Sequence, residues 1–184
     1  KAEYIKTQYI TYQKYNASNV TKSLDRLIDK TQQVRRDVAR HSKEIDYDLL
    51  KKYTGEQRLS GITLMSPSGD VVQEYKTVDI PDAEVRKEIK REVVLNTAQY
   101  ELKNYAERIE TEDGTLVDIS AVGRPDQKGV IVCYTVTKAQ YAKNYALSIQ
   151  SLLEGYNMHT NGTIIITKEK KIIASNDKRH VDLN

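Results

Sequence analysis

Thr115-Leu-Val-Asp-Ile-Ser-Ala-Val122 and Gly129-Val-Ile-Val-Cys-Tyr-Thr-Val136 are the two stretches of this 184-residue chain that decide its fold. Both are rich in β-branched and apolar residues, and a polar segment with a proline separates them. Such runs with a turn between them are typical of two antiparallel strands joined as a hairpin. A β-sheet is therefore predicted at the centre of the fold.

The residues that follow predict a helix and then a second hairpin. The helix is expected over residues 138–154 and is closed by Gly155. Its apolar face is marked by Ala142, Tyr145, Ile149, Leu152 and Leu153. The hairpin is expected at Thr163-Ile-Ile-Ile-Thr-Lys-Glu-Lys-Lys-Ile-Ile-Ala-Ser-Asn-Asp177. We expect the helix to cover the sheet.

The first third of the chain predicts one long helix. Residues 4–53 contain neither proline nor glycine, and Gly55 is expected to end the helix. Side chains that recur at helical spacing form one narrow stripe: Val20, Leu24, Leu27, Thr31, Val34, Val38, His41, Ile45 and Leu49. The stripe fits either a helix lying across a sheet or the seam of a dimer that also works as a signalling rod.

Between the long helix and the central strands, the pattern predicts another hairpin and another helix. The hairpin is Ile62-Thr-Leu-Met-Ser-Pro-Ser-Gly-Asp-Val-Val72, in which proline and glycine occupy the positions typical of a type I turn. Asp79 is the expected cap of the helix, and Val85, Ile89 and Val93 form its apolar face. Residues 96–112 show no clear periodicity and end at the turn Asp113-Gly114.

Composition excludes several classes of function. The chain has 29 basic and 26 acidic residues, a net charge of +3 and a single cysteine, so it offers no basic stripe, no internal disulfide and no four-cysteine metal site. It also lacks a glycine-rich phosphate loop and an uninterrupted apolar run long enough to span a membrane. We expect no nucleic-acid binding, no metal and no cofactor.

The order of the predicted elements resembles Cache domains, which are extracytoplasmic PAS-like sensors. The residues that carry the resemblance are the hairpin at 62–72, the paired strands Asp118-Ile-Ser-Ala-Val122 and Lys128-Gly-Val-Ile-Val-Cys-Tyr134, and the last hairpin. The resemblance implies an α+β fold, in which a long N-terminal helix precedes a PAS-like antiparallel sheet flanked by helices.

The resemblance also implies a domain order and a function. It implies a signalling or dimer helix at 1–54, a distal sensing module at 55–158, and a last hairpin at 159–184. That hairpin either starts a membrane-proximal module, as in double-Cache proteins, or adds strands to the first sheet.

By the same resemblance, the chain is expected to be the extracellular ligand-sensing domain of a bacterial membrane receptor of the histidine kinase or diguanylate cyclase type. Transmembrane segments would flank the domain, and its partners would be a small solute and a second copy of the helix. The alternative is a structural or adhesive extracellular module that oligomerises through the long helix.

A candidate ligand pocket follows from the family's ligand-facing segment and paired strands. Members that bind amino acids carry a Tyr-x-Arg-x-Trp-Tyr run, which this tryptophan-free chain lacks. The corresponding region offers Tyr100, Tyr105 and Arg108, and the position of the family's late acidic residue falls near Tyr134, so amino-acid binding does not follow from the resemblance. The candidate pocket in and around this segment and the paired strands consists of Tyr100, Tyr105, Arg108, Asp118, Ser120, Arg124 and Tyr134. The alternative is that Asp118 and Ser120 face solvent while the tyrosines cover the edges of the sheet.

Catalysis would require a nucleophile and a base. Cys133 could pair only with His41, His159 or His180. Because Cys133 lies within a run of apolar strand residues, we expect it to be an inert core side chain. No catalytic residue is predicted in this chain.

Overall fold

The computed structural model describes residues 2–41, 45–81, 83–100, 102–142, 148–153, 155–168 and 170–180. Its helices are α1 (Ala2–Arg40), α2 (Tyr47–Gln57), α3 (Ala83–Ile89), α4 (Glu92–Leu95), α5 (Ala139–Ala142) and α6 (Met158–Asn161). Its strands are β1 (Gly61–Met65), β2 (Val71–Lys76), β3 (Asn104–Glu110), β4 (Leu116–Gly123), β5 (Val130–Thr137), β6 (Ile165–Lys168) and β7 (Lys171–Ser175). Short 3-10 helices cover Asn96–Gln99, Gln150–Leu153 and Lys178–His180. The fold is α+β, as predicted.

The chain divides into two compact units, which we call the sheet unit and the terminal unit. The sheet unit is Val20–Ala142, and the terminal unit combines Lys1–Asn19 with Lys143–Asn184. Helix α1 contributes residues to both units. None of the helices in the described part of the chain combines the length and apolar character required to cross a membrane.

The sheet unit contains an antiparallel sheet with the strand order β2-β1-β5-β4-β3. The two strands predicted first, β4 and β5, pair along their full length, from Leu116 opposite Thr137 to Gly123 opposite Val130. The β1–β2 hairpin is also confirmed, because the Gly69 N–H donates to the Ser66 carbonyl at 3.0 Å across the predicted turn. The long helix and the PAS-like antiparallel sheet are therefore both present.

Apolar clusters fill both faces of this sheet, because side chains on a strand alternate between its faces. On the face of α1 and α2, the cluster contains Leu27, Val34, Val38, Leu50, Tyr53, Leu59, Ile62, Leu64, Val122, Ile131 and Cys133. On the face of α3 and α4, it contains Met65, Ile80, Val85, Ile89, Val94, Val117, Ile119, Ala121, Val130, Val132 and Tyr134. The central part of the predicted stripe therefore packs on the sheet within the same chain.

The prediction of one continuous helix over residues 4–53 is wrong. Helix α1 ends at Arg40, and α2 begins at Tyr47 after the extended residue Asp46, whose carboxylate accepts the Leu49 N–H at 2.9 Å. The Tyr53 hydroxyl donates to the Asp37 carbonyl at 3.3 Å, so the second helix returns to the last turns of the first. The break lets both helices bury apolar side chains in one core, which a straight rod could not do. Residues 42–44 lie outside the described part of the chain.

The predicted end of that helix is also wrong by a few residues. Gly55 lies inside the last turn of α2, and the residue in the left-handed conformation is Arg58, with φ of 51°. The Arg58 N–H donates to the Gly55 carbonyl and the Leu59 N–H to the Thr54 carbonyl. These bonds satisfy the last helical carbonyls, which otherwise would lack partners. An arginine therefore takes the role usually given to glycine.

The third predicted helix is shorter than expected and starts later. Helix α3 begins at Ala83, and Asp79 does not cap it but contacts Lys76 at 2.5 Å and Arg86 at 3.6 Å. A second, separate helix, α4, follows α3. In α4 the buried side chain is Val94, whereas Val93 is 39% exposed. Val85 and Ile89 are buried as predicted. Asp82 lies outside the described residues.

Residues 96–112, which showed no clear pattern, contain the edge strand β3. It pairs with β4 from Asn104 opposite Val122 to Glu110 opposite Leu116. Most of its side chains are half-buried and polar, so the period-two pattern of a strand is hidden. The Asp113-Gly114 turn that joins β3 to β4 is confirmed.

The helix predicted over residues 138–154 is not continuous. Only α5 and the 3-10 helix Gln150–Leu153 are helical, while residues 143–147 and 154, including Tyr145, lie outside the described part. The Gln150 side chain bonds the Ser175 carbonyl and N–H at 2.8 and 3.1 Å, and Leu153 packs on Ala174. Residues 150–153 therefore pack on the last hairpin within the terminal unit.

The last hairpin, β6 and β7, forms a two-stranded sheet of its own in the terminal unit. Its buried apolar cluster consists of Ile5, Leu153 and Ala174, with Ile149, Tyr156, Ile164 and Ile166 partly buried around them. The hairpin is confirmed, and it does not add strands to the five-stranded sheet.

Candidate ligand-binding site

The predicted pocket residues on β3, β4 and β5 are divided between the two faces of the sheet. Asp118 and Ser120 share the α1 face with Val122, whereas Tyr134 belongs to the apolar cluster on the α3 face. Tyr105 packs on the α3 face as well. The seven predicted residues therefore do not form one pocket.

On the α1 face, Arg108 and Asp118 form an ion pair across neighbouring strands. Arg108 Nε and Nη2 donate to the two carboxylate oxygens at 2.6 and 2.7 Å, and the two residues are directly opposite in the β3–β4 register. The hydrogen bonds to Asp118 raise the pKa of Arg108, so its guanidinium stays positively charged. Ser23 of α1 donates to Asp118 Oδ2 at 2.7 Å. Asp118 thus links the edge strand to the long helix.

Ser120 lies next to Asp118 on the same face and has an unusual environment. It is fully buried, and among the described residues its hydroxyl is the buried side-chain group that makes no hydrogen bond. A buried hydroxyl without a partner has a real free-energy cost. With Asp118 also only 4% exposed, the alternative that these two residues face solvent is wrong.

On the opposite face, Tyr105 takes part in a charged network. Its hydroxyl donates to Glu107 and accepts from Arg91 Nη2, the latter at 2.9 Å. Arg91 also contacts Glu107, and its Nε lies 2.5 Å from Glu88 Oε2. Burial, followed by the hydrogen bond to Glu107, raises the pKa of Tyr105 to about 12. The phenol is therefore neutral at physiological pH and works as both donor and acceptor.

This network borders an open cleft between α3 and the edge strand β3. The cleft has a volume of about 400 Å³ and is lined by Val85, Glu88, Glu107, Arg108, Ile109, Glu110, Thr111 and Glu112. Apolar side chains and several carboxylates share its walls, and Arg91 lies at its side through its contacts with Glu88 and Glu107. We call it the α3–β3 cleft.

The other predicted residues lie elsewhere in the sheet unit. Tyr134 is buried beneath the backbone of Gly61, and burial raises its pKa, as expected for a core side chain. Tyr100 is 56% exposed, with the Lys103 ammonium 5.1 Å from its ring centre. Arg124 pairs with Asp126 at 2.6 Å inside the β4–β5 turn. These three residues do not line the α3–β3 cleft.

Sequence reasoning missed Arg91, Glu88 and Glu107. Glu88 and Arg91 are three residues apart around the end of α3, which is a spacing that favours contact. That local signal was available in the sequence. The contact of Arg91 with Glu107 depends on the position of β3, which the sequence pattern did not predict.

The catalytic interpretation of Cys133 finds no support in its surroundings. The side chain is fully buried in the α1-face core, and burial raises the pKa of its thiol to about 12. A thiol that stays protonated is a poor nucleophile. His41, one of its suggested partners, instead lies 2.9 Å from the Tyr53 hydroxyl. What the site residues can do is bind and release a solute through hydrogen bonds and charge.

Comparison with known proteins finds similarity in structure but not in sequence families. No protein-family model matches the chain, and no curated protein sequence matches it. Among solved structures, the chain is similar to the sensory domain of the Campylobacter jejuni chemoreceptor Tlp3 (CcmL) with isoleucine bound, at 14% identity and a TM-score of 0.48 over 98% of this chain and 74% of that one.

Two further solved structures are similar. The ligand-binding domain of the same chemoreceptor in complex with L-norvaline has 13% identity and a TM-score of 0.49, over 100% of this chain and 73% of that one. An extracellular ligand binding receptor from Desulfohalobium retbaense has 9% identity and a TM-score of 0.41, over 79% of this chain and 28% of that one.

Proposed function

We propose that this chain is the extracytoplasmic ligand-sensing domain of a bacterial membrane receptor, and that it binds a small solute in the α3–β3 cleft. The observation that carries the proposal is the cleft itself. Its volume of about 400 Å³ lies within the range of roughly 300–1,000 Å³ that is usual for small-molecule sites. It opens on an edge strand of a sheet whose other face supports the long helix.

The walls of the cleft suit a solute that has both apolar and polar groups. Val85 and Ile109 offer apolar surface in the wall, and beside the cleft Glu107 of the wall contacts the Tyr105 hydroxyl and the Arg91 guanidinium. These polar groups are partly exposed, so a solute can replace one of their present contacts without leaving a buried charge unpaired. Tyr105 is the one predicted pocket tyrosine that contacts a residue of the cleft wall.

In the whole receptor, the proposed output is a histidine kinase or a diguanylate cyclase, and transmembrane segments flank this domain. We place the signalling or dimer segment, which contains α1 and most of α2, at 1–54, the distal sensing module at 55–158 and the start of a membrane-proximal module at 159–184. The proposed dimer contact uses the face of α1 that does not pack on the sheet. A solute would bias signalling by binding two conformations of the domain with different affinities.

A thermal-shift screen of small solutes tests the proposal. L-isoleucine and L-norvaline, which are bound in the similar chemoreceptor structures, are the first compounds, followed by other amino acids, organic acids and amines. At about 100 times its Kd, a bound solute should stabilise the domain by about 2.7 kcal/mol. For a domain of this size, that corresponds to a rise in Tm of roughly 5–10 °C.

Two variants and one matched control identify the site. Tyr105→Phe removes the hydroxyl between Arg91 and Glu107, and Arg91→Gln removes the guanidinium. Tyr100→Phe makes the same chemical change at an exposed tyrosine outside the cleft. We expect the first two to weaken the solute shift and the control to preserve it. Equal shifts in all three variants would exclude the cleft, and a chain that oligomerises without binding any solute would support the adhesive alternative.

A further inference from the structure

We propose that Ser23, Asp118 and Arg108 form a polar link that transmits occupancy of the α3–β3 cleft to helix α1. The inference rests on the proposed function of the cleft and specifies how that site is coupled to the rest of the sheet unit. It assigns a positioning role to three side chains, of which Ser23 belongs to the helix, Asp118 to β4 and Arg108 to β3.

A series of hydrogen bonds connects strand β3, whose residues line the cleft, to the helix. Strand β3 supplies much of that wall, including Arg108. The Arg108 guanidinium bonds Asp118 at 2.6 and 2.7 Å, and Asp118 accepts from Ser23 at 2.7 Å. Charge-assisted bonds of this length are short and directional, so a small displacement of β3 changes them.

The contacts of α1 with the central strands of the sheet differ in kind from its contacts near the β3 edge. Leu27, Val34 and Val38 pack in the apolar cluster that includes residues of β1 and β5. Near the β3 edge the contacts of the helix are polar, from Ser23 to Asp118 and from Gln32 to Asn104. Apolar packing is non-directional, whereas hydrogen bonds depend on distance and angle. A movement of β3 therefore reaches the helix through the polar contacts first.

Asp118 makes the link sensitive because its charge is almost completely buried. A buried carboxylate is tolerated only when charged and hydrogen-bonding partners compensate it. If a bound solute displaces β3, the bonds from Arg108 to Asp118 weaken, and Asp118 must recover a partner from the helix side. Ser120 lies on the same face of β4, and its buried hydroxyl makes no hydrogen bond in the present arrangement. A displacement of β3 therefore changes the bond between Asp118 and Ser23 of α1.

A covalent occupant tests the link without any knowledge of the natural ligand. Glu112 lines the cleft and is exposed, so Glu112→Cys places a thiol there for small methanethiosulfonate reagents, such as the benzyl derivative. The native Cys133 stays unmodified because it is fully buried and protonated. Hydrogen exchange at residues 20–28 of α1 is then compared before and after labelling, in the full chain. We expect the exchange rate there to change at least about threefold.

Two controls separate the link from a general effect of labelling. Adding Ser23→Ala to Glu112→Cys should abolish the change at residues 20–28, while exchange in β3 still responds to the label. The same label at Val72→Cys, which is 53% exposed on the opposite edge strand, should leave α1 unchanged.

Three results would overturn the proposal. One is an α1 that does not respond to the label in the cleft, and another is a response that survives Ser23→Ala unchanged. The third is an equal response of α1 to the label at Val72→Cys. Because the reagent replaces the ligand, a solute screen without hits would count against the proposed function and leave this test intact.

Discussion

Asp118 is a carboxylate that the sheet unit holds under α1 with about 4% of its surface exposed. Its negative charge is compensated by two bonds from Arg108 and one from Ser23. Burying a charge is costly, so such a residue is stable only while its partners remain in place. Removing only the partner of Asp118 should therefore destabilise this part of the sheet more than removing Arg108 and Asp118 together.

Removing Arg108 alone should destabilise the domain. We expect Arg108→Gln to lower the free energy of unfolding by about 2–4 kcal/mol, because it leaves the buried Asp118 carboxylate without its charged partner. Urea unfolding measures the change. The matched double variant, Arg108→Met with Asp118→Leu, should lose clearly less, since no buried charge remains. A double variant that is less stable than Arg108→Gln would contradict this account.

Asp177 in the terminal unit should make stability depend on acidic pH. The hydrogen bonds from Arg179 lower the pKa of Asp177 to about 2 in the folded chain, from an ordinary 3.8. A carboxylate with a lowered folded pKa contributes stability above its unfolded pKa and loses it as the pH falls from about 4 to 2.

Asp177→Asn removes that contribution. We expect the variant to be less stable than the natural chain at pH 6 and to approach it near pH 2, as followed by the midpoint of denaturant unfolding. Asp113, whose pKa is also lowered by bonds from Thr111 and Thr115, is present in both chains, so its effect cancels in the comparison. A stability difference that stays constant between pH 6 and pH 2 would exclude the assignment.

Single residues were predictable from the sequence where a strand pattern placed them. Asp118 and Ser120 were singled out by their position in the paired strands of the resemblance, and both are buried on one face of β4. Ser23, the partner of Asp118, was not predicted, because the two residues are 95 positions apart and no local pattern indicates their contact. Tyr134 was assigned to a pocket but is core, since strand alternation alone does not tell which face is covered.

At the scale of elements, a close contact between β1 and β5 depends on the absence of a side chain. Gly61 is opposite Tyr134, and a Cβ on Gly61 would lie 2.3 Å from the tyrosine ring. The ring is 1% exposed, so it has no free space into which it could move. Glycine at this position lets an aromatic ring cover the neighbouring strand.

Gly61→Ala should therefore lower the free energy of unfolding by about 1–3 kcal/mol, as overpacked cores do. Gly55→Ala is the control, because it lies inside α2 and a Cβ there meets nothing within 4 Å. We expect the control to be neutral or to stabilise the domain by up to about 1 kcal/mol through helix propensity. Thermal unfolding of both variants measures the difference. Similar losses of stability in Gly61→Ala and Gly55→Ala would show that the Tyr134 ring can move away from position 61.

The elements that the sequence predicted well are those with a strong local pattern. Strands β4 and β5 and both predicted hairpins have apolar runs bounded by turn residues, and the structure contains them. Strand β3 was missed because an edge strand is half-buried and keeps many polar side chains. The break between α1 and α2 contains no proline or glycine, and it follows from the tertiary contact of Tyr53 with the end of α1.

At the scale of the whole molecule, the sheet unit separates two tasks. One face packs the long helix on an apolar core, and the other face contributes to the α3–β3 cleft. The resemblance in the sequence led to a sensor with a ligand site and a helix. It could not give the location of the cleft, because residues of β3 line it and β3 has no strong sequence signal.

The most direct test of the account is hydrogen exchange over the whole chain, measured with and without a solute that stabilises it in the screen. We predict protection at residues 85–91 and 105–112, which form or border the cleft, together with a changed exchange rate at residues 20–28 of α1. Protection confined to other parts of the sheet unit or to the terminal unit, with the cleft residues unchanged, would contradict the claim that this cleft is the sensing site.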